Sequence, residues 1–151
     1  MSNTYSRLLF HVVFSVKERR NLISSELRKR LYPYICGVAK QNNFTVISIG
    51  GTDNHIHILL SLKPDMAVAK AVQLIKGGSS KWLHENFADL KIFSWQEGYG
   101  VFTVSSSMAE TIKKYIMNHR QHHKKMNFQN EYLEFLKRNN INFELKYLFS
   151  Y

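Results

Sequence analysis

A chain of 151 residues with 44% hydrophobic content predicts one domain, residues 1–151, with a real core, and no apolar run approaches the roughly 20 residues that span a bilayer. A soluble protein is therefore expected. Twenty-one Lys and Arg against eleven Asp and Glu give +10 with His neutral, a balance that points to a polyanionic partner, nucleic acid first. The single cysteine, Cys36, cannot close an intramolecular disulfide and fits a reducing cytoplasm.

Taken in order, residues 7 to 17 alternate, with Leu8, Phe10, Val12, Phe14 and Val16 on one face and Leu9, His11, Val13, Ser15 and Lys17 on the other. This reads as a strand, not a signal peptide, because no small-residue cleavage site follows. Ser24 is placed to cap a helix in which Leu27, Leu31, Tyr34, Ile35 and Val38 keep helical spacing to about Asn42, with Pro33 expected to kink or strain it. Phe44 to Ile49 predicts a second strand. The turn chemistry of 50–54 joins it to a third strand, Asp53 to Leu60, as a hairpin. Met66 to about Phe87 has helical spacing, and Gly77-Gly78 predicts a bend or a close backbone approach midway. Strand-like pieces follow at 92–95 and 101–105, then a helix from Met108 to about Met126 and a short one from Asn130 to Arg138 with Tyr132, Phe135 and Leu136 on one face. The chain from about residue 139 reads as a tail.

The order predicts a βαββαβ split unit in the α+β class: an antiparallel sheet with two helices on one face. Ile56, Ile58 and Leu60 should pack beneath those helices, leaving His55 and His57 on the open face, where the C-terminal helix could lie.

Three constellations carry chemistry. His55 and His57 lie on one strand face, where two imidazoles can bind a divalent metal or stand as polar surface residues. Tyr115 and His119 are four apart on one helical face, so a metal at His119 would sit near a phenol that needs such help to act as a nucleophile. The basic residues Arg28, Lys29, Arg30, Lys76, Lys81, Lys113, Lys114, Arg120, Lys124 and Lys125 together favour phosphate-backbone binding, although singly each reads as a solvated charge. Exposed aromatics such as Trp82 or Tyr99 could stack bases or simply fill the core.

Asn54-His55-Ile56-His57-Ile58-Leu59-Leu60, Lys76-Gly77-Gly78-Ser79-Ser80, the segment from Trp95 to Ser105, and Tyr115-Ile116-Met117-Asn118-His119 with His122-His123-Lys124 occur in that order. Together they resemble the single-tyrosine HUH transposases of the insertion-sequence-200/605 family, and the first strand, His11 to Lys17, fits as well. The resemblance implies a ferredoxin-like fold, a homodimer, a divalent metal such as Mg²⁺ or Mn²⁺, and cleavage and rejoining of single-stranded DNA at hairpin-marked transposon ends. It implies that His55 and His57 bind the metal and that Tyr115 is the nucleophile, in a site that two subunits can share. One departure stands out: where the family commonly has Gln four residues after the tyrosine, this chain has His119. A three-imidazole set should favour Mn²⁺ or another transition metal over Mg²⁺.

On this reading Tyr115 would leave a 5′-phosphotyrosine and a free 3′-hydroxyl, with the energy of the broken linkage kept for rejoining. Three alternatives stay open. They are a non-enzymatic single-stranded nucleic-acid-binding module of the same fold, a phosphodiesterase using metal-activated water, and a domesticated relative acting on repeated extragenic palindromes.

Overall fold

The computed structural model describes residues 3–119 and 126–148. The alternation read in the first strand becomes β1 (Leu8–Ser15), which lies at the centre of the sheet between β3 (His55–Leu62) and β4 (Gly100–Val104), with β2 (Thr45–Gly51) on the far side of β3. The order β2-β3-β1-β4, with all neighbours antiparallel, is the ferredoxin-like topology that the element order implies.

Ser24 does cap α1 (Ser25–Gln41), its side chain accepting from the Leu27 amide at 3.1 Å, and the helix continues through Pro33. Together α1 and α2 (Val68–Asn86) cover the face of Val12, Phe14, Ile56, Ile58 and Leu60. Each of these side chains is fully buried, a gain of about 1.5–3 kcal/mol apiece by area. Helix α2 runs unbroken through Gly77-Gly78, where the close approach is realised: the Tyr34 hydroxyl donates to the Gly78 carbonyl at 3.2 Å.

The opposite face carries two further helices. α3 (Ala109–Met117) packs Ile116 on Leu9 and Leu59, while α4 (Phe128–Arg138) lays Phe128, Tyr132 and Leu136 over Val13 and Phe102. The apolar layer on both sides explains why β1 and β3 are buried almost end to end. Asn127 caps α4 by accepting from the Asn130 amide at 2.9 Å, so this helix begins before Asn130.

Three expectations need correction. The 92–95 piece is not a strand: only Trp95 bridges, to Val16, and the Gln96 side chain takes the Ser15 amide at 2.7 Å, where a paired strand would have offered a carbonyl. α3 breaks after Met117, with the Asn118 amide closing the last turn on Lys114 and Ile116, while His119 is again helical; of the rest of the expected helix, 120–125 lie outside the described residues. The tail from 139 contains a short helix, α5 (Leu145–Leu148). Among the described residues no helix is long and apolar enough to cross a membrane.

Candidate metal centre and tyrosine

Register builds the site. Pairing of β1 with β3 sets Val13 opposite His57 and Ser15 opposite His55, with His11 diagonal to His57 on the same face. His11, His55 and His57 therefore form one buried group under α3 and α4. Gly50 of β2 makes room for α3, since a Cβ there would stand 2.3 Å from the Ile116 carbonyl oxygen. That close approach brings Tyr115 and His119 down to the histidines, their rings 5.5 Å apart and the Tyr115 ring 5.9 Å from that of His57.

The nitrogens converge. His55 Nε2 lies 2.8 Å from His119 Nε2, while the other ring nitrogen of His55 donates to Asn54 Oδ1 at 2.6 Å, so neutral His55 turns a lone pair toward the cluster. His57 is held through Nδ1 by His11 Nε2 at 2.8 Å. At the centre stands Glu131 of α4, whose Oε1 lies 2.9 Å from His57 Nε2 and 3.5 Å from both His55 Nε2 and His119 Nε2. The Tyr115 hydroxyl donates to the other oxygen of the same carboxylate, Oε2.

Burial dominates the electrostatics. It pushes His57 well below the usual imidazole range, against the pull of Glu131, and lowers His11 to about 4 for the same reason. Burial also raises the Tyr115 phenol above its ordinary value, and the hydrogen bond and charge of Glu131 add to that shift. The hydroxyl is thus firmly protonated.

The donor set fits a divalent transition metal. His55, His57, His119 and Glu131 offer one ligand atom each, all within 4.8 Å of one another. Ligands about 2.0–2.2 Å from a tetrahedral ion stand roughly 3.4 Å apart, close to the separations seen here. Imidazole nitrogen and carboxylate oxygen are the ligand types such ions prefer.

The structure therefore brings together His55, His57, Tyr115 and His119. It does not bring the basic residues into one set. Arg28 is buried, donating to the Ile23 carbonyl and pairing with Asp53, both at 2.8 Å. Lys76 Nζ ties down the loop carbonyls of Gln96 and Gly98 at 2.7 Å each, and burial lowers its pKa to about 8. Lys29 and Lys81 are exposed on α1 and α2, while Lys113 and Lys114 immediately precede Tyr115 on α3. Arg120 and Lys124 lie outside the described residues. Trp82 stacks on Tyr34 at 4.6 Å.

Sequence reasoning missed His11 and Glu131. A histidine alternating with Leu9 and Val13 was the signal for the first. For the second, the Asn127 cap sets Glu131 on the Phe128, Tyr132 and Phe135 face, where a carboxylate is anomalous.

The family described as "Transposase IS200 like" matches residues 4–119. The chain is 30% identical over 115 residues to the ISDra2 transposase TnpA of Deinococcus radiodurans, covering 73% of this chain and 82% of that protein. It is 31% identical over 121 residues to the transposase for insertion sequence element IS200 of Salmonella typhimurium, covering 77% and 79%. Solved structures that share the fold include two transposases. One is a candidate transposase from Deinococcus radiodurans R1 (TM-score 0.66, 24% identity, 78% of this chain and 95% of that one). The other is a REP-associated tyrosine transposase bound to a REP hairpin (TM-score 0.61, 16% identity, 82% and 73%). Matched over most of its length, with its histidines and tyrosine gathered at one buried centre, the chain belongs to the IS200-like transposase family.

Proposed function

We propose that this transposase cleaves and rejoins single-stranded DNA at hairpin-marked ends through a covalent 5′-phosphotyrosine at Tyr115, with a divalent metal, Mg²⁺ or Mn²⁺, held by His55, His57 and His119. The observation that carries the reading is the shared carboxylate: the Tyr115 hydroxyl and the three histidine Nε2 atoms all meet Glu131. A bound divalent ion supplies Lewis-acid polarisation of the scissile phosphate. The three-imidazole set favours Mn²⁺ over Mg²⁺.

Every other part falls to the chain. Tyr115 Oη forms the bond to phosphorus, the bond from phosphorus to the 3′-oxygen breaks, and that oxygen leaves as a hydroxyl on taking a proton. Because Tyr115 is protonated, its proton must leave during attack, and Glu131 Oε2, which already accepts its hydrogen bond, is the group placed to receive it. His11 can hold either end of its hydrogen bond to His57, so His57 Nε2 is able to present a lone pair. A groove lined by His11, Phe102, Met108, Ile112, Phe135 and Arg138 gives the strand a way in beside the cluster. Lys113 and Lys114, on the helix of Tyr115, would contact its phosphates, with Lys29 and Lys81 as more distant contacts.

The REP hairpin bound by a protein of the same fold supports hairpin DNA as the partner. The homodimer belongs to the same reading, in the cytoplasm, with residues 1–151 acting as one domain.

The test incubates the protein with single-stranded oligonucleotides from the DNA flanking its own gene, with Mg²⁺ or Mn²⁺. A covalent adduct should survive denaturing gels. Tyr115→Phe should still bind hairpin DNA and form no adduct, and an adduct persisting in that variant overturns the nucleophile.

A further inference from the structure

We infer that Glu131 is a fourth ligand of the metal site, and that α4 thereby both closes the ion's coordination through Oε1 and fixes the nucleophile beside it through Oε2. The inference rests on the metal reading above and extends it with a residue beyond position 119, where the family match ends.

The geometry is specific. Glu131 is 3% exposed, on a helix otherwise anchored by Phe128, Tyr132 and Leu136. A carboxylate so placed is costly unless partnered, and its partners are the three imidazoles whose Nε2 atoms converge on Oε1. One oxygen thus lies at ligand-to-ligand distance from all three histidines, while the second accepts from Tyr115. A carboxylate can ligate through one oxygen and accept a hydrogen bond through the other, so the two contacts are compatible. Tyr132 of the same helix packs on Gly100, where an added Cβ would come within 2.9 Å of its ring, so the helix is seated on β4 at a fixed height. A site of three histidines and one carboxylate selects Mn²⁺, Fe²⁺, Co²⁺ or Zn²⁺ over Mg²⁺.

Co²⁺ serves as probe, with affinity read by calorimetry and coordination by visible absorption of the full chain. Wild type should bind with intense bands typical of low coordination number. Glu131→Gln should lose at least about tenfold in affinity and change the bands, since even indirect partners of metal ligands are worth about 10–100-fold. In wild type, Co²⁺ should also slow amide exchange across 128–138, a readout that does not depend on any variant folding. Unaltered affinity and spectrum in Glu131→Gln, or metal that protects the β3 histidines but not α4, overturns the ligand role. His57→Ala separates the two readings: if it abolishes Co²⁺ binding while Glu131→Gln is silent, only the Glu131 assignment fails. If His57→Ala binds Co²⁺ as wild type does, the histidine site itself fails.

Discussion

His57 Nε2 and Glu131 Oε1 stand 2.9 Å apart across 74 positions of chain, both buried. The contact joins β3 to α4, so the candidate site also ties the last long helix to the sheet. Uncoupling the pair should loosen α4 and misplace Tyr115 together, because one carboxylate holds both.

Stability in the absence of metal should fall with acid. His11 titrates at about 4 in the folded protein against 6.5 when unfolded, so between those values the unfolded chain binds a proton that the folded chain does not. Stability is whole above pH 6.5, declines as pH drops from 6.5 toward 4, and His11 alone accounts for a loss on the order of 3 kcal/mol. His57, lowered by the same burial, acts in the same direction. Thermal melts in chelator from pH 8 to 4 should show the decline, and His11→Phe should flatten part of it. A Tm constant from pH 7 to 4.5 contradicts this.

Gly50→Ala should cost about 1–3 kcal/mol and weaken adduct formation beyond what the lost stability explains, because the new Cβ meets the Ile116 carbonyl and lifts α3 from the sheet. Melting temperature and adduct yield at a temperature where both proteins are folded measure the two effects separately.

Arg28 and Lys113 should behave oppositely. Arg28→Ala removes the pair with half-exposed Asp53 and the bond to the Ile23 carbonyl, lowering stability by about 1–2 kcal/mol while leaving the salt dependence of DNA binding unchanged. Lys113→Ala should leave the melt within about 0.5 kcal/mol and reduce the salt slope by about 0.7 on single strands. Binding isotherms at several salt concentrations decide both.

Mixing Tyr115→Phe with His57→Ala asks whose tyrosine serves which histidines. In the single chain Tyr115 is seated at its own cluster through Glu131. Equal mixing should therefore restore no adduct if catalysis uses this arrangement. Recovery toward about a quarter to a half of wild-type yield would show exchange of α3 between subunits.

Period-two alternation determined β1 and β3, and helical spacing determined α1 and α2, because each element must turn one apolar face to the core wherever the others lie. The same alternation placed His55 and His57 away from that core, and a spacing of four brought Tyr115 and His119 to one side. Local pattern could not show which charges would be spent inside the fold. Arg28 and Lys76 look like their solvated neighbours until Ile23, Asp53 and the 96–98 carbonyls come into reach. Nor could it show His11 and Glu131 as members of the site: the register of β1 on β3 and the descent of α4 onto the sheet decided both, since those contacts join residues 46 and 74 positions apart. A buried carboxylate acquires its meaning from the groups that surround it, and only the tertiary structure assembles them.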